Sequence, residues 1–169
     1  GVFVAVAYGG IAADGVMRST DGISWATSTS AAANNWRSVT YGNGLFVAVS
    51  EQYVGTINNR VMTSPDGVTW TARTASSDNW WQSVTYGNGL FVAIEGENNA
   101  NVVMTSPDGI NWTDRAIPFG GNYSISYSNG LFVIGGYGII LTSSDGITWS
   151  TSASAINGYI NSIAYGKGT

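Results

Sequence analysis

One seven-residue pattern, Ser-x-Asp-Gly-x-x-Trp, occurs four times in this chain and constrains its fold more than any other feature. In the copy at residues 64–70, Pro65 presets the second position of a type I turn, Asp66 suits the third, and Gly67 takes the left-handed position that closes a bulged hairpin. The carboxylate can accept backbone N–H groups in the turn, and the Trp anchors the returning strand in a core. Each copy therefore predicts a hairpin corner in which the Asp and Trp are structural rather than catalytic. These residues are Asp21 and Trp25, Asp66 and Trp70, Asp108 and Trp112, and Asp145 and Trp149.

A second repeat surrounds an Asn-Gly pair. Residues 36–49 return as residues 81–94, return more loosely at 122–134, and begin again at 161–168. An Asn-Gly pair between two β-rich runs is the strongest short-range signal for a two-residue hairpin. Each period therefore contains two hairpins, one closed by Asn-Gly and one by Asp-Gly.

Two hairpins make four strands in each period, exemplified by residues 38–41, 46–49, 61–64 and 69–73. The Trp residues of successive boxes are 45, 42 and 37 residues apart, which is the spacing of β-propeller blades and too long for shorter solenoid repeats. The second strand is apolar with little alternation, as expected where neighbouring sheets cover both of its faces. We therefore predict one all-β domain over residues 1–169, a propeller of four-stranded antiparallel blades.

The two ends of the sequence predict how the ring closes. Residues 1–6 match residues 44–49, so the chain enters at the second strand of a blade, and it leaves just after a first strand and its turn. We expect the last strand to pair with the first ones, so that residues 1–29 and 159–169 form a composite blade and four blades close a ring without exposed edges. The alternatives are a piece of a larger propeller, or a half that pairs with a second chain into eight blades.

The composition fits an all-β fold and argues against several functions. Only 9% of the 169 residues are charged, 12% are aromatic and 23 are Gly, which is typical of strands joined by tight turns. The net charge of −4, with five Arg and one Lys, argues against nucleic-acid binding, because phosphate contacts need clustered cations. The chain has no Cys and no His, so we predict no metal site and no cofactor. No apolar run reaches the length of a membrane span, so we predict no membrane insertion.

At these motifs the chain resembles the Asp-box (BNR) repeats of sialidases, sortilin-type receptors and many secreted or phage-borne propellers, and it is also similar to other bacterial and phage propeller repeats. In that family the box usually reads Ser/Thr-x-Asp-x-Gly-x-x-Trp, whereas here Gly directly follows Asp in all four copies. The resemblance implies a propeller with the box between the third and fourth strands of each blade. It implies little about activity, because function on this scaffold lies in the loops.

The resemblance includes sialidases, in which an arginine triad holds the substrate carboxylate. Here Arg73 and Arg115 occupy the same repeat position, which favours a repeated role on the outer strand instead. No spacing selects a pair of carboxylates for acid and nucleophile. We therefore predict no catalytic residue and no enzyme activity.

The two ends of the predicted blades differ in regularity. The Asn-Gly and Asp-Gly turns at one end are nearly identical from copy to copy, whereas the connections at the opposite end, here called the variable end, differ and are rich in Asn, Ser, Gly, Glu and aromatic residues. Such groups suit sugar recognition, because C–H faces stack on rings while hydroxyls bond to amides and carboxylates. The candidate ligand-binding residues are Trp80, Trp81, Trp36, Tyr53, Tyr123, Tyr137, Tyr159, Glu95 and Glu97.

Some of these candidates have a simpler interpretation. Trp36 and Trp81 share a repeat position, which favours packing between blades, whereas Trp80 has no Trp counterpart and is the better ligand candidate. Glu95 and Glu97 could offer oxygen ligands to Ca²⁺, but their segment lacks a recognised spacing and is expected to be a solvated loop.

We expect a non-enzymatic recognition module, most simply a glycan-binding domain at a cell or virion surface. The alternative is a structural or assembly protein that binds other protein subunits there, and an oligomer of identical chains is compatible with both. A contiguous apolar patch would favour assembly, and an aromatic cleft lined with Asn and Glu would favour sugar. A more remote alternative, a glycoside hydrolase, would require two carboxylates about 5 Å apart in a cleft.

Overall fold

The computed structural model describes residues 1–9, 14–51, 59–96 and 100–166, which form fifteen β-strands and no helix. Within these ranges no helix is long and apolar enough to cross a membrane. The strands are β1 Phe3–Val6, β2 Val16–Ser19, β3 Ala26–Ser28, β4 Asn35–Gly42, β5 Leu45–Glu51, β6 Val61–Ser64, β7 Thr71–Arg73, β8 Trp81–Gly87, β9 Leu90–Glu95, β10 Val102–Ser106, β11 Thr113–Ala116, β12 Asn122–Ser128, β13 Leu131–Gly136, β14 Ile139–Ser143 and β15 Ser150–Ala153.

These strands form four antiparallel sheets, each a meander of strands consecutive in the chain. Sheet 1 contains β1–β3, sheet 2 contains β4–β7, sheet 3 contains β8–β11 and sheet 4 contains β12–β15. The all-β architecture predicted from the sequence is confirmed. β7 begins at Thr71, two residues later than predicted, because the backbone N–H of Thr69 still belongs to the turn and donates to the carboxylate of Asp66.

The box turns have the chemistry that the sequence predicts. In sheet 2, the Ser64 hydroxyl donates to Asp66 Oδ1 (2.9 Å), and the Gly67 N–H donates to Ser64 Oγ (2.8 Å). The N–H groups of the two residues after Gly67 both donate to Asp66 Oδ1 at 2.8 Å, and the indole of Trp70 donates to the Gly67 carbonyl. Gly67 has φ +73°, in the predicted left-handed region. The other three boxes have the same bonds.

The Asn-Gly turns also form as predicted. Asn43 and Gly44 have φ values of +47° and +76°, which define a two-residue turn of type I′, and the other two pairs in the described residues repeat them. The twist of such a turn matches the twist of the strands that it joins. Both turn types therefore lie at the regular end of each sheet, and the connections of differing sequence lie at the variable end.

The hydrophobic core lies between neighbouring sheets, which pack in sequence order. Between sheets 2 and 3, Val47 and Val49 pack against Phe91 and Met104, and residues at the same repeat positions pack between sheets 3 and 4. Val16 of sheet 1 packs in the corresponding cluster with sheet 2. Each inner sheet is thus covered on both faces, which explains its unbroken apolar second strand.

Glycine allows the first strands of adjacent sheets to approach closely. A Cβ on Gly42 would lie 2.1 Å from the ring of Tyr86, and a Cβ on Gly87 would lie 2.0 Å from the ring of Tyr127. The tyrosine of each sheet therefore lies on the backbone of the preceding sheet, and only glycine leaves room for it.

The composite blade that the sequence predicts from residues 1–29 and 159–169 is not formed in the described structure. β1 pairs with β2 alone, so sheet 1 has three strands, and residues 161–166 form no strand. The preceding residue is instead held against sheet 4, where the Ile160 N–H donates to the Gly136 carbonyl (3.2 Å) and the Ser124 hydroxyl donates to the Ile160 carbonyl (3.0 Å). No ladder joins residues 161–166 to β1, so closure of a four-blade ring is not shown.

Candidate functional site

Three of the predicted aromatic candidates lie together at the variable end of sheet 4. Tyr123 is the second residue of β12, Tyr137 lies between β13 and β14, and Tyr159 follows β15. Tyr137 and Tyr159 form an isolated antiparallel bridge, which brings the two connections together. The ring centroids of Tyr123 and Tyr159 are 4.9 Å apart at 72°, and those of Tyr137 and Tyr159 are 5.0 Å apart at 66°. We call these three residues the tyrosine cluster.

The tyrosine cluster is open to solvent and belongs to a stretch of the chain without charged residues. Tyr137 and Tyr159 are 54% and 61% exposed, and Tyr123 is half-buried. Residues 116–144 and 146–166 contain no charged side chain, so the variable end of sheet 4 is neutral. Ile156 is also exposed, and its carbonyl lies close to Gly138, the residue after Tyr137. The surface therefore combines aromatic rings with backbone, Ser and Asn groups and has no fixed charge.

The candidates Trp36 and Trp81 are core residues. Trp36 is 1% exposed and Trp81 is 0% exposed, and both pack between sheets. Their indole N–H groups donate to the carbonyls of Ala32 (3.2 Å) and Ser77 (3.3 Å). A buried indole presents no face to a ligand, so the interpretation as inter-blade packing is the one that the structure supports.

The other candidates do not join the tyrosine cluster. Trp80 is half-buried before β8 of sheet 3, and its carbonyl accepts the Gly96 N–H at 3.0 Å. Glu95 is the last residue of β9, lies opposite Trp81 in the ladder and is fully buried, so the predicted solvated loop is wrong at this residue. The ladder continues one residue beyond the predicted strand and takes Glu95 into the sheet. Tyr53 and Glu97 lie outside the described residues.

Charged residues gather instead at the variable end of sheets 1 and 2. Arg37 Nε donates to Glu51 Oε2 at 2.7 Å, and the guanidinium carbon of Arg37 lies 4.2 Å from the centroid of the Tyr8 ring. Sequence reasoning missed Tyr8, although it occupies the same repeat position as Glu51 and Tyr137. Arg37 and Glu51 form an ion pair, so the surface beside Tyr8 carries charged groups, unlike the tyrosine cluster.

A second ion pair lies nearby and involves a buried arginine. Arg60 is 2% exposed, and its Nε donates to Asp78 Oδ1 at 2.6 Å. Glu51 and Asp78 thus each face an arginine rather than another carboxylate. In the part of the chain that the structure describes, no group of three or more Asp or Glu side chains is placed to hold a metal ion.

The four box aspartates lie at the opposite, regular end. Hydrogen bonds from turn N–H groups, the one from Thr148 foremost, lower the pKa of Asp145 to about 2. The corresponding bonds, with the N–H of Thr69 the largest cause for Asp66, lower the pKa of each of the other three. The carboxylates are therefore ionised and engaged within their turns, as expected for a structural role.

Comparison with known proteins identifies the fold. No model of a protein family matches this chain, and no curated protein matches its sequence. Among solved structures, it resembles virginiamycin B lyase from Staphylococcus aureus, solved as a catalytically inactive variant with quinupristin (16% identity, TM-score 0.69, 86% of this chain and 54% of that one). It also resembles the WD40 β-propeller domain of Doa1 (12%, 0.64, 95% and 57%) and YCF48 bound to D1 peptide (18%, 0.55, 85% and 48%).

The chain thus spans about half the length of the solved structures that it matches. Their identities of 12–18% carry the fold alone. The four radially packed sheets are those of a β-propeller, as the sequence predicts.

Proposed function

We propose that this chain is a non-enzymatic recognition module that binds an uncharged oligosaccharide through the tyrosine cluster on sheet 4, in the surface setting predicted from its sequence. The observation that supports it most is the geometry of that cluster. Two rings that are more than half exposed stand edge-to-face at 66°, within a stretch of the chain that has no charge.

Rings at such an angle form a corner rather than a flat patch. A sugar ring has an apolar C–H face and a rim of hydroxyls, so it can stack on Tyr159 while its edge meets Tyr137. The phenol groups and the backbone of the two connections can bond to the hydroxyls. An acidic sugar would need a cation here, and residues 116–144 and 146–166 contain none, so the site favours neutral sugars.

A second candidate is a site for a protein segment, as in assembly with other subunits. It is supported by the exposed apolar side chain of Ile156 (61%) beside the tyrosine cluster, and by Phe119 (51%) in the connection before Tyr123. Exposed apolar groups that adjoin one another mark protein contacts as well as ligand grooves. YCF48, whose fold is similar, is bound to a peptide in its solved structure.

The test is binding to an array of neutral and acidic glycans, followed by calorimetry on any sugar that binds. Replacing Tyr159 by Ala removes a stacking surface worth about 1.5–3 kcal/mol, so the affinity should fall about 10- to 100-fold. Tyr159→Phe keeps the ring and should retain most of the binding. Tyr8→Ala is the matched control, because Tyr8 is also 61% exposed and lies at the same end on another sheet.

Three results would contradict the proposal. One is binding that Tyr159→Ala leaves unchanged, and another is a preference for acidic glycans. The third is a blank glycan array together with binding to a peptide array that Tyr159→Ala abolishes, which would establish the second candidate.

A further inference from the structure

One face of sheet 1 is exposed to solvent, whereas the corresponding face of each other sheet is largely covered. Phe3, Met17 and Trp25 are 56%, 44% and 42% exposed. Most residues at the same repeat positions in the later sheets are buried, among them Phe91 0%, Phe132 0%, Met62 0%, Met104 0%, Trp70 9% and Trp149 8%, while Phe46 and Trp112 are half-buried. In sheets 2 to 4 this face packs on the preceding sheet, and we call it the leading face.

The opposite face of sheet 4, the trailing face, is also incompletely covered. Leu131 is 42% exposed and Val133 is half-buried, whereas Val47 and Val92, which correspond to Val133, are 0% exposed. The box glycine of the following sheet covers the inner two: a Cβ on Gly109 would lie 2.8 Å from Val47, and its counterpart in sheet 4 lies equally close to Val92. The trailing face of sheet 4 therefore lacks a following sheet, and the leading face of sheet 1 lacks a preceding sheet. The two faces are complementary to each other.

The backbone of the two end sheets is complementary as well. Residues 161–166 have the sequence of a first strand and lie on the trailing face, where Ile163 and Tyr165 share a cavity of about 170 Å³ with Leu131 and Val133. Among the described residues this segment has no second strand beside it. β1 is a second strand, and its ladder contains no first strand.

A cavity lies beside β1, at the position that a first strand would occupy in a complete sheet. A cavity of about 360 Å³ is lined by Val2 at the start of sheet 1 and by Tyr41 and Phe46 of sheet 2. Tyr41 is 57% exposed, although its counterparts in sheets 3 and 4 lie on the glycines of the preceding first strands. Gly166 occupies the position of those glycines and has nothing within 4 Å of its Cβ direction. The contact between a tyrosine and the glycine of the preceding first strand thus occurs twice within the chain. Tyr41 lacks the glycine of this contact, and Gly166 lacks the tyrosine.

We propose that a second copy of this chain completes sheet 1. Residues 161–166 of one copy pair with β1 of the other, the trailing face of sheet 4 packs on the leading face of sheet 1, and Tyr41 of one copy lies on Gly166 of the other. This junction between two copies repeats the packing that joins neighbouring sheets within one chain. It therefore uses side chains at the same repeat positions.

The strand pairing favours a second copy over closure of one chain on itself, because β1 pairs with β2 alone and residues 161–166 form no strand. The match to the virginiamycin B lyase structure takes in 86% of this chain and 54% of that one, so a propeller of that length holds about twice the residues of this chain. Two copies related by a twofold axis then close one ring of eight sheets through two identical head-to-tail junctions, which leaves no sheet edge free.

The first test is the mass of the 169-residue chain in solution by light scattering. The expected result is twice the chain mass of 17.7 kDa. Gly166→Ala adds one methyl group that meets nothing in the single chain but strikes Tyr41 in the junction, so it should weaken the dimer about tenfold or more and leave the folded monomer intact. Gly158→Ala is the control, because its Cβ would meet one carbon at an ordinary 3.8 Å.

Cysteine cross-linking separates a two-chain ring from closure within one chain. The chain has no cysteine. Tyr41 lies opposite Phe46 in sheet 2, so the same register places Tyr165 of one copy opposite Phe3 of the other, within reach of a disulfide. Phe3→Cys and Tyr165→Cys chains, when co-expressed, should give a cross-linked band of double mass, and neither alone should do so.

Two outcomes would overturn the proposal. A monomer at every concentration would show that a second copy does not cover these faces, as would be the case if further repeats of a longer chain occupied them. A double variant, Phe3→Cys with Tyr165→Cys, that is oxidised only within single chains would show that the chain closes on itself. Either result is independent of glycan binding.

Discussion

Replacing Gly87 by Ala tests the packing between sheets 3 and 4 with a single methyl group. Gly87 ends β8, and a Cβ there would lie 2.0 Å from the ring of Tyr127 in sheet 4. Its φ is outside the left-handed region, so the backbone itself accepts Ala. Any loss of stability therefore reports on the clash.

The magnitude follows from two opposing effects. Overpacking a well-packed contact costs about 1–3 kcal/mol. Replacing Gly by Ala restricts the unfolded chain and returns about 0.4–1 kcal/mol. The free energy of unfolding should therefore fall by about 1–2 kcal/mol, and for a chain of this size Tm should fall by about 2–4 °C for each kcal/mol.

The assay is urea unfolding of the parent, Gly87→Ala, Tyr127→Ala and the double variant, all at one association state. Without the Tyr127 ring the three atoms nearest the added methyl group are gone, so Gly87→Ala should cost less in the Tyr127→Ala background than in the parent. The two substitutions should then be coupled by about 0.5–3 kcal/mol. Equal effects in both backgrounds would refute the packing of this ring on Gly87.

Two further predictions concern the boxes and the core. Because backbone N–H groups lower the pKa values of the box aspartates below the usual value of about 3.9, stability should be constant above that pH and fall as pH drops through the folded values, between about pH 4 and 2. Asp145→Asn should make the urea midpoint less pH-dependent in this range, and an unchanged profile would contradict the assignment. Trp81→Ala should lower the free energy of unfolding by about 3–5 kcal/mol, since the fully buried ring leaves a cavity. A loss below about 1 kcal/mol in thermal or urea unfolding would show that the site tolerates the change in volume.

The sequence predicted the turns because their determinants are local. Asp66 finds its donors within the next three residues, and Asn43 and Gly44 adopt positive φ without help from distant residues. Repeats of such turns at blade spacing left few folds open, so the propeller could be inferred from the same pattern. Within sheets 2 to 4 the structure changes only the ends of strands, by one to a few residues, whereas the predicted composite blade is not formed.

Burial at the variable end could be predicted only where a residue recurs at one repeat position, because elsewhere it depends on where neighbouring sheets lie. The shared position of Trp36 and Trp81 indicated packing between blades, and both are buried, whereas Trp80 has no such counterpart and is half-buried. Glu95 belongs to an acidic segment, but the ladder extends far enough to bury it. Exposure is thus set by contacts between residues distant in the chain.

The tyrosine cluster shows the same division. The sequence identified Tyr123, Tyr137 and Tyr159 as separate candidates on three connections, and the composition of these connections indicated a sugar-binding surface. The bridge between Tyr137 and Tyr159 and the packing of Tyr123 place the centroids of the Tyr123 and Tyr137 rings 4.9 Å and 5.0 Å from that of Tyr159. A sequence pattern does not predict such contacts between connections that are distant in the chain.

By itself, the sequence determined the repeating unit, its two turns, the order of its four strands and the apolar faces that must be covered. Only the tertiary structure decided what covers them at the two ends of the array. Whether a face is covered depends on packing between sheets, which is a contact between residues distant in the chain. In the described structure residues 161–166 pair with no strand of sheet 1, and the faces that carry Trp25 and Leu131 are exposed.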